Sequence, residues 1–507
     1  MFRFPIKSVG LCAMLALTAC GGEGGDDNSA SAQAPSPAPA PAQVAGDRIE
    51  PLDSGPRRSM AKSQVETALP RSSQPVLATA VRLGPLTEEP NLKKKMQAAP
   101  EPGIPRQIGV ARSVAATATA QSTHAQLRWQ PAPGGMQRAA ISFTSEDAWG
   151  VRPGLLVRSL PANTTLRFYA QVGTEVVQVS GAEVLRTVQR NLDAGDTSDA
   201  ARTYWAPDFG GAETTLELEL PAKANLAELD VAVPTLSHFF VSPAKADATP
   251  IAKDLGDADR CNVDVSCNTQ YSSESRAVAR MTFVKDGGSS YLCTGTLLND
   301  IRSSRTPYFL SADHCIPTQT VASTLTTDWF YRSTACDSKE PNADTQHVTG
   351  GATLLHSNIL TDTAFMRLNA SAPQGSVYAG SYFGAMSKNA DVAGIHHARG
   401  DMQKISTGSI TQFSDCSFLD DNLYCPISTE QSSNSYEVRW KQGITEQGSS
   451  GSGLFYSIGS TRYLVGQLSG GNSRCLRWGA RTTGRDNYGR FDLVFRSALK
   501  NWLKPGS

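Results

Sequence analysis

The feature that most constrains this chain is the placement of its cysteines. Of the ten cysteines, two lie at positions 12 and 20, and the other eight lie between Cys261 and Cys475. In an exported chain, an even number of cysteines indicates disulfide bonds that staple a fold of short strands and loops. A zinc cluster is the alternative, but the sequence has no paired C-x-x-C motif to support one. The second half is therefore predicted to be disulfide-bonded, with pairings that the sequence alone leaves open.

The first twenty residues have the pattern of an export signal. Arg3 and Lys7 precede an apolar run over residues 9–19, which is too short to span a bilayer. The run ends in Leu-Thr-Ala-Cys20, which is similar to a bacterial lipobox, although an ordinary signal peptide that contains a cysteine is the alternative. We expect residues 1–20 to be a lipoprotein-type signal, with Cys20 lipidated and the precursor anchored at the cell envelope.

Composition limits the possible partners. Lys and Arg together number 47 and balance 47 Asp and Glu, so nothing favours nucleic acid or another polyanion as a partner. No stretch after the signal has the length and apolarity of a transmembrane helix, so we expect membrane contact only through the lipid. At 507 residues the chain is too long for one ordinary domain.

Three regions follow the signal. Residues 21–107 are poor in aromatic residues and rich in Ala, Pro, Ser and Gly, which predicts a disordered, solvated tether. Residues 111–243 alternate over short stretches and are predicted to form a β-sandwich-like domain. Its predicted strands are 155–159, 165–171, 175–179, 214–220 and 229–233, with one helix over 182–192. Tyr204, Trp205 and Phe209 could form a sugar-binding surface, but core packing is the commoner fate of such aromatics.

The third region, residues 254–507, contains all eight of these cysteines and many short apolar segments. Strands are predicted over 280–283, 308–311, 364–368 and 463–467, followed by an amphipathic helix over 493–503. This order predicts an all-β double β-barrel with a C-terminal helix. His396 and His397 are adjacent in a predicted strand and so point to opposite faces, which argues against one metal ion shared between them. We expect no metal and no cofactor.

The same region contains the parts of a serine hydrolase. His314 follows the strand Tyr-Phe-Leu-Ser, and a bridge between neighbouring Cys315 and Cys293 would fix it beside a strand end. A lone histidine is more often structural, but this setting is specific. Its expected role is to take a proton from a serine hydroxyl.

The predicted nucleophile is Ser450, in the segment Gly-Ser-Ser-Gly-Ser-Gly over 448–453. Glycines on both sides permit a tight turn that exposes the hydroxyl and aims the N–H groups of Gly448 and Ser450 at an oxyanion. The simpler interpretation is that residues 448–453 form a flexible Gly/Ser loop. Against it, the apolar residues Leu454 and Phe455 follow at once, so the loop is short and leads into a predicted strand. Asp362 precedes another apolar strand, and the order His, Asp, Ser is that of chymotrypsin rather than of subtilisin or the α/β-hydrolases.

With these motifs in view, residues 256–503 resemble the bacterial lysyl endopeptidases, a chymotrypsin-fold branch of the trypsin-like serine peptidases. The resemblance rests on Ser-Ala-Asp-His-Cys315, Gly-Ser-Ser-Gly-Ser452, Gly-Gln-Leu-Ser-Gly-Gly471, Asp-Asn-Tyr-Gly-Arg490 and the segment ending at Cys267. It implies the bridges Cys261–Cys475, Cys267–Cys336 and Cys293–Cys315, which leaves Cys416 to pair with Cys425. It also implies that the β-rich domain is a pro-region.

The resemblance assigns a specificity carboxylate to Asp486, which would favour a lysine side chain at the base of a closed pocket. Ser469, Gly470 and Gly471 would form the substrate-binding strand. Two departures from the family concern specificity. Ser469 stands where well-known members have histidine, and the segment 474–485 is longer than usual and contains four arginines.

We therefore expect a secreted, monomeric serine endopeptidase that cuts proteins and peptides after basic residues, lysine preferred. The alternatives are a lipid-anchored binding protein whose β-rich domain does the work, and a serine esterase. Ser449 replaces the aspartate that pairs with the new N-terminus in trypsin, so activation should not need that ion pair. The expected processing site is Lys253, with Lys245 as second choice, and the cut would release an extracellular enzyme.

Overall fold

The computed structural model describes residues 46–55, 76–86, 105–241, 258–419, 422–476 and 482–506. The predicted signal, Cys20 and both candidate processing lysines lie outside these ranges. No helix in the described part of the chain is long and apolar enough to cross a membrane.

Residues 105–241, here called the β domain, form two facing sheets around one apolar core. In spatial order, the first sheet contains Val176–Ser180, Thr165–Tyr169, Glu213–Pro221, Met136–Ser145 and Thr79–Leu83, with Gln130–Ala132 beside Met136–Ser145. The second contains Thr203–Trp205, Gly150–Ser159, Asp230–Phe239 and Gly109–Ser113. All five predicted strands are present, and the sandwich-like arrangement is confirmed.

Two helices complete the β domain, Ala120–Gln126 and Gly181–Asp193. The second was predicted over 182–192. The Ser180 side chain caps it by accepting a hydrogen bond from the Glu183 amide, and buried Val184 and Val188 lie one turn apart on its inner face. Of the three clustered aromatic residues, Tyr204 stacks on Phe168 in the core, as expected from the commoner fate of such residues.

Residues 258–506, here called the barrel domain, contain two large sheets. The first, in spatial order, is Gln346–Val348, Thr326–Trp329, Val278–Val284, Ser290–Leu298, Tyr308–Ser311, Thr363–Leu368 and Ala352–Asn358. It wraps a core that includes Met281, Phe309 and Trp329. The second is Thr461–Gly471, Gly453–Ile458, Asp391–His396, Lys404–Ser414, Ser435–Gln442 and Asp486–Arg490. Its last strand pairs with its first, so this sheet is a closed barrel.

Shorter elements lie around the barrels. The short strands are Arg48–Ile49, Leu52–Asp53, Arg106–Gln107, Val263–Asp264, Val377–Tyr378, Gly380–Tyr382, Ser417–Leu419, Asn422–Tyr424, Ile427–Ser428, Arg474–Cys475 and Thr482–Thr483. Single helical turns lie at Ser272–Ser275 and Gln319–Ala322. The chain ends in Phe491–Val494, a π-helical turn at Phe495–Leu499 and Lys500–Leu503, whose apolar face packs between the two barrels. The predicted double barrel with a C-terminal helix is confirmed.

Four disulfides staple the barrel domain. They join the pairs that the resemblance implied: Cys261–Cys475, Cys267–Cys336, Cys293–Cys315 and Cys416–Cys425. The first spans 214 residues and connects the beginning of the domain to its last part.

The structure differs from the predicted tether over 21–107 at residues 46–55, 76–86 and Arg106–Gln107. These segments contain short strands that add to edges of both domains, and Thr79–Leu83 pairs in parallel with Met136–Ser145. Segments without an apolar core of their own can become ordered in this way, because an exposed sheet edge supplies backbone hydrogen-bond partners. The amino-acid composition of a segment does not show whether a sheet edge elsewhere in the chain will pair with it.

Candidate active site

His314 and Asp362 form a close pair beside the end of the strand Tyr308–Ser311. One Asp362 carboxylate oxygen accepts a hydrogen bond from the His314 amide at 2.9 Å, and the other lies 2.8 Å from His314 Nδ1. An ionised carboxylate only accepts hydrogen bonds, so Nδ1 is the protonated nitrogen of the neutral ring and Nε2 presents its lone pair. Nε2 is buried and has no hydrogen-bond partner within the described chain.

The Asp362 backbone is held in position from two sides. Its carbonyl accepts hydrogen bonds from the Asp313 amide at 3.1 Å and from Gln467 Nε2 at 3.2 Å. Its φ is +48°, a left-handed conformation that aspartate tolerates better than most residues. Gln467 belongs to the closed barrel, so the second barrel helps to hold the carboxylate that orients a histidine of the first.

The Ser450 turn docks on the strand Ser290–Leu298, which pairs with the strand that leads to His314. Thr294 fastens it, because its amide donates to the Ser450 carbonyl at 2.8 Å and its hydroxyl donates to the Gly448 carbonyl at 2.8 Å. Cys293, the neighbour of Thr294, is bonded to Cys315, which follows the histidine. The disulfide therefore connects the histidine and serine segments through one strand.

Glycine is required at 451, where φ is +80°. A Cβ there would collide with the Ser311 hydroxyl and would lie 2.5 Å from the Thr294 carbonyl oxygen. Ser450 itself is 4% exposed. Its hydroxyl and the N–H groups of Gly448 and Ser450 form no hydrogen bonds with other described residues, so both predicted oxyanion donors are available to a ligand. The structure shows no hydrogen bond between Ser450 and His314, a contact that in serine hydrolases commonly tightens when substrate binds.

A buried polar network supports the serine turn, and the sequence did not reveal it. The Ser449 hydroxyl lies 2.8 Å from His396 Nδ1, and His396 Nε2 lies 3.1 Å from the Ser406 hydroxyl, which donates to the Ile444 carbonyl. Burial lowers the pKa of His396 to about 3, so its ring is neutral and Nδ1 accepts a hydrogen bond from the Ser449 hydroxyl. His397 is also buried, with Nδ1 2.9 Å from the Asp401 carbonyl. The two histidines thus have separate partners, although only His396 lies in the strand and His397 directly follows it.

Asp486 lies fully buried behind the substrate-binding strand predicted from the sequence. Its carboxylate accepts hydrogen bonds from Trp440 Nε1 at 2.5 Å, from the Thr445 hydroxyl at 2.8 Å and from both the hydroxyl and the amide of Ser473. Burial nevertheless raises the pKa of Asp486. Among the residues that the structure describes, no arginine, lysine or histidine forms an ion pair with it.

The strand Thr461–Gly471 connects this carboxylate with the serine turn. Gly471 pairs with Asp486, and Gly470 with Asn487. Three residues earlier along the strand, the Leu468 carbonyl accepts a hydrogen bond from the Gly451 amide at 2.8 Å. Ser469 is buried, and its hydroxyl has no partner in the described part of the chain. The predicted histidine, aspartate, serine and specificity carboxylate therefore lie around one strand.

A disulfide-closed hairpin stands over His314. Its strands Ser417–Leu419 and Asn422–Tyr424 lie within the Cys416–Cys425 loop, and the Phe418 ring centre is 5.4 Å from the His314 ring centre. The sequence indicated a disulfide here but no contact with the site.

Comparison with known proteins follows the same division of the chain. A family model described as lysyl endopeptidase, C-terminal domain, matches residues 255–489, and one described as lysyl endopeptidase N-terminal domain matches residues 82–240. A curated lysyl endopeptidase of Pseudomonas aeruginosa is 34% identical over 404 residues, covering 77% of this chain and 79% of that protein. The chain belongs to the lysyl endopeptidase family. It is accordingly a serine endopeptidase, as the motifs predicted.

Solved structures of more distant proteases also match part of this chain. The Rv3671c protease from M. tuberculosis, in its active form, covers 49% of this chain and 88% of its own, with 14% identity and a TM-score of 0.30. A thermostable serine protease, AL20, from an extremophilic microorganism covers 43% and 93%, with 12% identity and a TM-score of 0.28. Neither likeness bears on the substrate of this chain.

Proposed function

We propose that this endopeptidase cleaves peptide bonds on the carboxyl side of basic residues, with lysine preferred. The observation that carries the proposal is Asp486, a fully buried carboxylate with hydrogen-bond donors on both oxygens and no cationic partner among the described residues. A buried charge of this kind favours a ligand that brings the opposite charge, because an uncompensated ion is costly in a closed pocket. The name of the Pseudomonas relative supports lysine as that ligand.

The proposed reaction begins with attack of the Ser450 hydroxyl oxygen on the scissile carbonyl carbon. His314 Nε2 takes the hydroxyl proton, and Asp362 stabilises the resulting imidazolium through Nδ1–H. The amides of Gly448 and Ser450 stabilise the oxyanion. The imidazolium then protonates the leaving amine, so an acyl-enzyme on Ser450 remains, and water attacks it with His314 again acting as the base.

The network of Ser449 and His396 supports a proposal about activation. In this turn a neutral hydroxyl–imidazole hydrogen bond occupies the place for which trypsin uses an ion pair with its new N-terminus. The Gly448 to Ser450 turn would then be formed before any cleavage of the chain. This assignment makes Ser449 and His396 positioning residues, since neither touches the reacting atoms.

We also propose that the precursor, anchored through a lipid on Cys20, cuts itself after Lys253 between its two domains. The covalent link to the anchor would be lost, the catalytic part would be a monomer, and its final location would be extracellular. The sequence of residues 242–260, between the two domains, is polar and rich in turn-forming residues, as a processing site should be. Expression of the Ser450→Ala chain tests this step, because it should accumulate uncut. Processing of that variant at the same place, in the absence of any other protease, would refute self-cleavage.

Active-site labelling tests the chemistry directly. A fluorophosphonate should modify Ser450 in the wild type, as read by peptide mapping, and Ser450→Ala should lose both labelling and peptidase activity with little change in thermal stability. Ser457→Ala is the matched control, because Ser457 is exposed on the next strand and should leave both unchanged. Labelling at another serine, or activity near wild type in Ser450→Ala, would show that the nucleophile is misassigned. Labelling with hydrolysis of esters but not peptides would favour an esterase.

A further inference from the structure

A short segment far from the barrel domain in sequence lies across it in space. Residues 46–55, here called the strap, contain two strands that pair with the segment between the barrels: Arg48–Ile49 with Gly380–Tyr382, and Leu52–Asp53 with Val377–Tyr378. The two pairings are separated by only two residues of the strap. The strap is thus an added edge strand whose paired strands lie more than 300 residues later in the chain.

The strap also places an apolar side chain in the core of the barrel domain. Ile49 is 1% exposed and belongs to the apolar cluster formed where the barrels meet the C-terminal helix. Ile49 pairs with Ser381, and the preceding position requires a glycine, because a Cβ on Gly380 would lie 2.7 Å from the Ile49 carbonyl oxygen and 2.8 Å from the Pro51 ring. The barrel domain therefore has a groove shaped to receive this segment.

Polar contacts hold the strap at both of its ends and at its centre. Asp53 makes a two-point ion pair with Arg276, with contacts of 2.5 and 3.2 Å. At the centre, the Glu50 carboxylate accepts a hydrogen bond from the Tyr463 hydroxyl at 2.7 Å, and its carbonyl accepts one from Asn299.

Further hydrogen bonds hold the two ends of the strap. The Gly46 carbonyl accepts a hydrogen bond from Lys504 Nζ at 3.0 Å, and Ser54 donates twice to the Ser376 carbonyl. The contacts therefore extend from one barrel across to the C-terminal helix.

We propose that the strap is a non-covalent latch that keeps the N-terminal part of the chain bound to the barrel domain after the chain has been cut between 242 and 257. The cut itself rests on the proposed function, but the latch does not. Because the strap precedes the β domain in sequence, cleavage after Lys253 leaves it seated in its groove. Self-cleavage alone would then not free the enzyme from a lipid on Cys20, and a second cut or dissociation of the strap would be required.

The β domain contributes contacts of its own, so the test must separate the two. Arg106–Gln107 pairs with the strand Ser290–Leu298, Arg152 donates to the Thr324 carbonyl, and Trp205 lies against Gly288. Co-migration of the two domains after a cut near 253 would therefore say nothing specific about the strap.

A cut on the other side of the strap isolates its contribution. The full chain with Ser450→Ala is expressed with an affinity tag in place of residues 1–20 and with a recognition site for a sequence-specific protease between 56 and 75. After immobilisation through the tag and cleavage at that site, only the strap connects residues beyond the cut to the resin. We expect the cut protein to stay on the resin through washing. If the cut protein instead appeared in the first washes, as an untagged chain applied to the same resin would, the proposal that the strap is a latch would be overturned.

Two strap variants identify the contacts responsible. Asp53→Ala should speed release about five-fold, as expected for loss of one partly exposed ion pair. Ile49→Ser should speed it by on the order of 30-fold, because a buried apolar side chain is lost. Lys441→Ala is the matched control, since it removes an exposed ion pair with Asp391 elsewhere on the barrel domain and should not change release. Variants that are retained like the wild type would show that the strap is not the attachment.

Discussion

Asp486→Asn is the substitution that most directly probes the proposed specificity pocket. It keeps the shape of the side chain and removes the negative charge. The four present donors are Trp440 Nε1, the Thr445 hydroxyl, and the hydroxyl and amide of Ser473. An asparagine oxygen can take over the three bonds made to Oδ2, and its amide group would face the Ser473 amide, which is a modest local conflict. The fold should therefore survive, and the main loss should concern a cationic substrate.

The size of that loss follows from burial. Removing one partner of a buried ion pair costs about 3–5 kcal/mol, and about 1.4 kcal/mol corresponds to a factor of ten in kcat/KM. For substrates with lysine before the scissile bond, kcat/KM should fall roughly 10²- to 10⁴-fold. A substrate with norleucine in that place carries no charge, so its kcat/KM should stay the same or rise.

The assay compares lysine and norleucine peptides of otherwise identical sequence in wild type and variant, with fluorophosphonate labelling of Ser450 as a check on the triad. If the Asp486→Asn variant cleaved the lysine peptide about as efficiently as the wild type, the assignment of Asp486 would be wrong, since the carboxylate that binds lysine would then lie elsewhere. An equal loss for both peptides, together with lost labelling, would indicate a damaged fold and equally contradict the assignment.

Three further predictions concern the supports of the site. Ser449→Ala removes the hydrogen-bond donor to buried His396, and an unpaired buried acceptor costs about 1–3 kcal/mol. We therefore expect steady-state kinetics to show a kcat about ten-fold lower with KM nearly unchanged. A change confined to KM would argue against a positioning role for Ser449. Replacing Cys261 and Cys475 by serine should lower the free energy of unfolding by up to about 5 kcal/mol in denaturant titrations. The same replacement of Cys416 and Cys425, which close a far shorter loop, should lower it by roughly 2–3 kcal/mol. Equal losses would show that loop entropy does not account for the stabilisation. Burial lowers the pKa of both His396 and His397 from 6.5 to about 3, so as the pH falls the histidines of the unfolded chain become protonated before those of the folded chain. The free energy of unfolding should therefore drop by roughly 2 kcal/mol per histidine between pH 6.5 and about 4.5. His397→Gln should reduce this dependence of the unfolding free energy on pH, as measured by denaturant titrations at several pH values.

Much of the fold could be predicted because local patterns and global structure agree. Alternating apolar residues predicted each of the five β-domain strands, and the helix over 182–192 differs from the observed Gly181–Asp193 by one residue at each end. The candidate residues of the site could also be proposed from the sequence, because glycine-flanked Ser450 and the cysteine next to His314 require unusual local backbone and bonding. Signals of this kind are contained in a few consecutive residues.

What the sequence did not reveal depends on partners far along the chain. The strap has no apolar periodicity of its own and becomes ordered only on an existing edge, so its composition suggested a solvated tether. The same holds for the Ser449–His396 hydrogen bond and for the position of Phe418 over His314, which join segments that only the folded barrels bring together. Trp205 is a similar case, since it contacts Gly288 of the other domain.

We propose that the buried carboxylate of Asp486 makes this endopeptidase select lysine. A digest of a peptide library of mixed sequence by the purified wild-type protein tests this selectivity, with the cleavage sites read by mass spectrometry and Ser450→Ala as the blank. We expect cuts on the carboxyl side of lysine, few after arginine, and none in the blank. Cuts after apolar or acidic residues, or cuts that persist in the Ser450→Ala digest, would contradict it.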